Sequence, residues 1–226
     1  ELTQSRIQEL FSRILDLADV SRIAAETLKG DARVVVSGLG GSARGLLTAA
    51  LWKSLKRPIF LVTEVDAAAE NLAADIGYFH SELNEKAPGR VCHFPAWETD
   101  PYSGLSPHAD VLQARATTLW QLRSGEADIV VMSARALGGR LRSPVGFDAY
   151  GLHIKVGDEV SQELMLEHLS MTGYLRQEPV GSVGEFSVRG GIVDVFSPLM
   201  PNPARIEFFG DTVDSIREFD LDDQRS

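Results

Sequence analysis

Residues 34–47 read VVVSGLGGSARGLL, an apolar β-branched run, then glycines, then the start of a helical pattern. That order predicts a strand, a tight turn and a helix, which is how a phosphate-cradling loop is built. A working P-loop reads G-x-x-x-x-G-K-[ST]. Its glycines let backbone N–H groups approach phosphate, its lysine bridges the terminal phosphates and its hydroxyl ligates magnesium. With Gly38 as the first glycine, Ala43 stands at the second, Arg44 at the lysine and Gly45 at the hydroxyl. Gly38, Gly40, Gly41, Ser42, Ala43, Arg44 and Gly45 therefore read as a degenerate nucleotide loop. The alternative, an ATPase or helicase domain binding ATP at residues 38–45, has Arg44 for charge and nothing at position 45 to hold the metal. The same stretch begins the G-x-S-x-G elbow of hydrolases at Gly40, with Arg44 in place of the last glycine. Histidines 80, 93, 108, 153 and 168 form no triad order with an acid, and Ser42 is equally explained as the N-cap of the helix that follows.

Outward from that loop, short apolar runs alternate with helical patterns. RVVVSG, PIFLVT, RVCHF and DIVVMS are rich in Val and Ile and bounded by Gly, Pro, Asp or Ser. The first two are each followed by a helix pattern, the signature of a parallel sheet with helices on its faces. Ile7, Leu10, Phe11, Ile14 and Leu17 predict an N-terminal amphipathic helix. Leu72, Ile76 and Phe79 mark a second, and Leu112, Leu119 and Leu122 a third. Between RVCHF and the third helix lies PAWETDPYSGLSPHADV, residues 95–111, without periodicity but with two large aromatics. Trp97 and Tyr102 are expected to pin this loop rather than to form a contact surface.

After Arg142 the pattern changes. LHIKVG reads as a strand, and Ser161 as the cap of a helix that Gly173 ends. GEFSVRGGIVDVFSP and PARIEFFGDTVDSIREFD then alternate as β-hairpins turning at Gly190-Gly191 and Gly210-Asp211. The fold class expected is α/β, a parallel-sheet domain over 1–144 followed by a small α+β domain over 145–216.

With 226 residues, 44% apolar, the chain can bury two modest cores. No window reaches the roughly 18 uninterrupted apolar residues of a membrane span, and the N-terminus alternates charge with apolar residues, so a cytoplasmic protein without membrane contact is expected. Cys92 is the one cysteine, which excludes an internal disulfide and reads as a buried small residue. No His, Cys or carboxylate spacing suggests a metal, and Glu98 and Asp100 read as turn carboxylates, so no catalytic residue is assigned. The net charge of −10 disfavours nucleic-acid binding by this chain alone. Charge is also unevenly divided. Residues 1–144 hold 16 basic and 17 acidic side chains, but residues 145–216 hold 4 basic and 11 acidic, so each arginine there invites a reason.

The stretches WETDPYSGLSPHADVLQARATTLWQL, GYLRQEPVGSVGEFSVRGGIVDVFSP and RIEFFGDTVDSIREFDLDDQRS together resemble the N-terminal region of the bacterial transcription-repair coupling factors and the related first domains of the excision-repair protein UvrB. The lost P-loop favours the coupling factors, since UvrB keeps a working one. The resemblance implies a helicase-like first domain, a small inserted domain that binds UvrA, and a return into the first domain over 217–226. It also implies an ATP- and magnesium-dependent DNA translocase motor and an RNA polymerase contact later in a longer parent protein, in which this chain would be a fragment without a cofactor of its own. By the same resemblance Arg176 in GYLR, Arg189 in VRG, and Arg205 and Glu207 in RIEFF are the expected UvrA contacts. Ser187 departs from UvrB, which has another arginine at that point.

Overall fold

The computed structural model describes residues 13–14, 17–30, 33–83, 90–100, 102–141, 143–148 and 150–221. The chain divides into two units, Glu1–Arg140 and Leu141–Ser226. The boundary falls four residues before the expected 144. Ile7, Leu10 and Phe11 of the expected first helix, Arg142, and the last residues of the expected return, 222–226, lie outside the described residues.

In the first unit, α1 (Ala18–Leu28) and α2 (Ala43–Leu55) precede β1 (Ile59–Thr63), α3 (Asp66–Leu83), β2 (Val91–Phe94), α4 (Ala109–Ser124), β3 (Ile129–Ser133) and a short α5 (Ala134–Leu137). The three strands form a parallel sheet in the order β1-β3-β2, with Ile59 opposite Ile129 and Val91 opposite Ile129 on the other side. The central strand β3 is buried along its whole length, which is why DIVVMS carries no polar alternation. Trp52, Ala69, Ala73 and Ile76 cover one face with Ile129 and Val131, and Leu119 and Leu122 pack on Cys92, Phe94 and Val130.

One expected strand is absent. Residues 33–40 have no regular structure, and Val35 is 82% exposed. A β-branched run becomes a strand only when a neighbour supplies ladder hydrogen bonds and a face to pack on. Among the described residues β1 and β2 pair with β3 alone, and the edge strand β1 leaves Phe60 and Val62 exposed.

The second unit opens with a short helix α6 (Pro144–Asp148) and continues with α7 (Gln162–Met171), β4 (Leu175–Arg176), β5 (Glu185–Arg189), β6 (Ile192–Val195), β7 (Ala204–Phe209) and β8 (Thr212–Glu218). Ser161 caps α7 as expected, its Oγ accepting from the Leu164 N–H at 3.2 Å. The five strands lie in sequence order, with β4 parallel to β5 and the rest antiparallel. Both hairpins turn where the sequence indicated, and Gly190 takes the positive φ of +60° that the first turn requires. One face of the sheet packs Phe186, Val193, Val195, Ala204 and Ile206 against Met165 and Leu169 of α7.

LHIKVG is not a strand. Its lower half turns at Lys155–Asp158, and the chain then runs beside β8, where the Gly157 and Val160 N–H groups donate to the carbonyls of Val213 and Asp211 at 2.8 Å. A single bridge, Glu159 to Thr212, is the β pairing it achieves. β8 itself runs to Glu218, two residues past the expected domain end at 216, so the beginning of the segment read as a return is part of this sheet.

Candidate functional site

Strand register decides which of the expected contact residues can act together. On β5, β6, β7 and β8 the residues Ser187, Asp194, Arg205 and Arg217 are aligned across the strands, and Ile192, Glu207 and Ser215 form the next rung. Arg189 lies opposite Ile192 on that second rung. Side chains alternate along a strand, so all of these point away from the α7 core, giving one polar sheet face. Arg176 is paired with Phe186, whose side chain belongs to the core. The pleat therefore sends Arg176 to the opposite side, at the edge of the sheet, while Leu175 shares the side of Glu185. Arg189, Arg205 and Glu207 are brought onto one face, and Arg176 is not among them.

The centre of that face is a buried carboxylate. Asp194 is 2% exposed and accepts from Arg205 Nε at 2.7 Å, from a terminal Arg205 nitrogen at 3.0 Å and from Arg189 at 2.8 Å. An isolated carboxylate at this depth would cost several kcal/mol, and two guanidinium groups offset it. The Arg205 guanidinium also lies 4.7 Å from the centre of the Phe219 ring. The Asp194 hydrogen bond holds Arg205 more firmly protonated than an ordinary arginine. Arg205 is thus mostly committed within the protein, with 15% of its side chain exposed, whereas Arg189 keeps 52% and can face a partner as well as Asp194. Glu207 lies 3.5 Å from Arg217, and Arg176 is exposed.

Two members of this arrangement escaped the sequence reading. Asp194 had a signal, a charge in the middle of the apolar run GIVDVF, which in a central strand demands a buried partner. Arg217 falls in the segment expected to return into the first domain, one residue past the expected end at 216, whereas the ladder continues through it to Glu218.

The glycine loop of the first unit leads directly into α2. Residues 38–44 are exposed, the Ala43 N–H donates to the Gly40 carbonyl at 3.2 Å, and Ser42 sits at the N-cap without a side-chain cap hydrogen bond. Ser42 therefore makes none of the side-chain capping expected of it, and its backbone is already helical (φ −72°, ψ −5°) where a capping residue is extended. Gly45 has a packing role. A Cβ there would come within 3.0 Å of Asp75 Cβ and 3.2 Å of the Ile76 nitrogen, so α2 and α3 approach closely enough that a side chain would force them to shift by a few tenths of an ångström. At the position where a P-loop places its metal-binding hydroxyl, this chain has a glycine lying against the neighbouring helix.

The aromatic loop after β2 is held at both ends. Arg115 is buried between the rings of Phe94 and Trp97, 4.0 and 4.1 Å from their centres, and donates to the Pro95 carbonyl at 2.6 Å. Glu98 accepts from the His108 N–H at 2.5 Å, and Asp100 from the Tyr102 N–H at 2.8 Å. Trp97 pins the loop as expected. Tyr102 does not, being 96% exposed, because the Asp100 turn projects it outward. The Cys92 thiol is buried, and burial pushes it up to about 11. Among the described residues no group of three or more His, Cys, Asp or Glu is placed to hold a metal ion, and no helix is long and apolar enough to cross a membrane.

The second unit is thus a small α+β domain, a mostly antiparallel sheet with an arginine-clamped carboxylate on one face and one helix on the other, and residues 152–226 match the family described as UvrB interaction domain. The chain as a whole is homologous to part of the bacterial transcription-repair-coupling factors. It is 37% identical over 202 residues to the factor of Myxococcus xanthus, an alignment covering 89% of this chain and 17% of that protein. It is 34% identical over 192 residues to the factor of Bacillus subtilis, covering 85% and 16%, and 28% identical over 199 residues to that of Escherichia coli, covering 88% and 17%. The chain spans about a sixth of the length of these relatives.

Proposed function

We propose that this chain is the recruiting segment of a transcription-repair-coupling factor, an adaptor that binds UvrA through its second unit and has no turnover of its own. The observation that carries this reading is the match of residues 152–226 to the UvrB interaction domain, on a sheet that sets arginines on an otherwise acidic unit. Arg189 is the accessible contact on the polar face and Arg176 the contact at the sheet edge, with Arg205 and Glu207 supporting the face. RNA polymerase and DNA would be engaged by other parts of a longer protein, as would ATP and magnesium. Residues 38–45 then serve as scaffold, in keeping with the close helix approach at Gly45. By homology with proteins of DNA repair, the setting would be the cytoplasm.

The test is UvrA binding to the 226-residue chain by titration calorimetry. Arg176→Ala and Arg189→Ala are expected to weaken binding while the melting temperature of Arg176→Ala stays within about a degree of wild type, as surface substitutions usually do. Undiminished binding in both variants would refute the reading. Saturable, magnesium-dependent binding of a fluorescent ATP analogue that is lost in Arg44→Ala would refute the scaffold role of the loop.

A further inference from the structure

We infer that Arg217 is a further partner contact, the cation on the polar sheet face that a carboxylate of the partner engages; this rests on the reading of the second unit as a UvrA-binding domain. Three observations converge on it. Arg217 lies directly across from Arg205 in the β7–β8 register, a like-charge neighbour that folding alone disfavours. Arg205 is neutralised by Asp194, which already takes both its Nε and a terminal nitrogen, so Arg217 is not needed to satisfy that buried acid. Its own partner, Glu207, is 3.5 Å away, and the Arg217 side chain is 55% exposed, so this pair is loose and solvent-screened. A planar guanidinium held loosely beside a committed one can exchange Glu207 for a carboxylate of an incoming surface, in the bidentate geometry arginine favours.

Charge selects the chemistry of that partner. The unit is strongly acidic, with 11 acidic and 4 basic side chains over residues 145–216, and Arg217 adds a cation just beyond that range. A unit this acidic repels carboxylates except at its few cations, so an acidic segment of the partner is steered onto Arg189 and Arg217, the exposed arginines of the polar face. Arg176, on the other side of the sheet, makes a separate contact.

The experiment compares UvrA affinity of the 226-residue chain as wild type, Arg217→Ala, Arg217→Lys, Arg189→Ala and, as a remote charge control, Arg22→Ala, at two salt concentrations. Arg217→Ala is expected to weaken binding about five- to tenfold with a shallower salt dependence, in the range of an interface arginine. Arg217→Lys should recover part of the loss, and Arg22→Ala should match wild type. Should Arg217→Ala lower the melting temperature, Arg217→Gln, which keeps a polar stem, repeats the comparison. Wild-type affinity in the Ala and Gln variants, with Arg189→Ala weakened, overturns the role of Arg217 and leaves the UvrA reading standing. Wild-type affinity in all arginine variants overturns both.

Discussion

Arg205 donates through Nε to Asp194 at 2.7 Å from the neighbouring strand, inside a sheet where Asp194 is almost wholly buried. The pair is a structural element first. Removing one partner of a buried ion pair leaves the other charge uncompensated, at a cost of about 3 to 5 kcal/mol. Arg205→Ala and Asp194→Ala should each lower the stability of the second unit by about 3 kcal/mol. Urea denaturation followed by far-UV circular dichroism checks this, and a loss under 1 kcal/mol would mean that water reaches Asp194. A binding defect in Arg205→Ala is to be read together with its stability.

Restoring the P-loop should fail for reasons of packing. Gly45→Thr puts a Cβ 3.0 Å from Asp75 Cβ and 3.2 Å from the Ile76 nitrogen, and overpacking of this kind costs about 1 to 3 kcal/mol. The triple variant Ala43→Gly, Arg44→Lys, Gly45→Thr is therefore expected to unfold more easily than wild type and to gain no saturable ATP binding. Tight binding in that variant would show that α2 and α3 can separate.

The acid side of the stability curve should be set in part by His80. This side chain is buried against Trp52, with ring centres 4.6 Å apart, and its Nε2 lies 3.0 Å from Asp128 Oδ2. Burial lowers its pKa below the usual 6.5; Asp128 opposes the shift, and Arg90 and Lys56 reinforce it. Since the unfolded chain takes up this proton more readily, stability is full above about pH 6.5 and is lost as pH falls below it. His93, also lowered by burial, acts in the same direction. Melting temperatures measured from pH 8 to pH 5 should fall in wild type and fall less in His80→Gln. An identical slope in the two would remove His80 from the account.

Arg115 should govern the order of the loop after β2. It is stacked between Phe94 and Trp97 and bonded to Pro95, so Arg115→Ala removes two ring contacts and an anchor of the loop backbone. A loss of about 2 kcal/mol is expected, with faster proteolysis near residues 98–108, and Arg115→Lys should not restore it because the planar stack is lost. Unchanged cleavage would show that Glu98 and Asp100 suffice to hold the loop.

The helices marked by Leu72, Ile76 and Phe79 and by Leu112, Leu119 and Leu122, the buried strand DIVVMS and both hairpin turns are legible because each depends on local periodicity or on a glycine-bearing turn, whereas α1 was not anticipated and Leu17 is its extended N-cap. VVVS and LHIKVG were misread for the complementary reason. They carry strand composition, but a strand exists only by pairing, and no described neighbour offers residues 33–40 a ladder. The contact surface divides in the same way. That arginines are rare in the second unit, and that Arg44 and Gly45 stand where a P-loop has its lysine and hydroxyl, follows from residue identity alone. Which arginines share a face could come only from the register. Pairing with Phe186 turns Arg176 away, the chain partner that occupies Arg205 is Asp194 eleven residues earlier, and a bulge at Glu207 carries Arg217 into the row. The sequence sets composition, periodicity and turns, because these act over a few residues. The tertiary structure decides which charges meet, because a one-residue change of register moves every side chain of a strand to the other face.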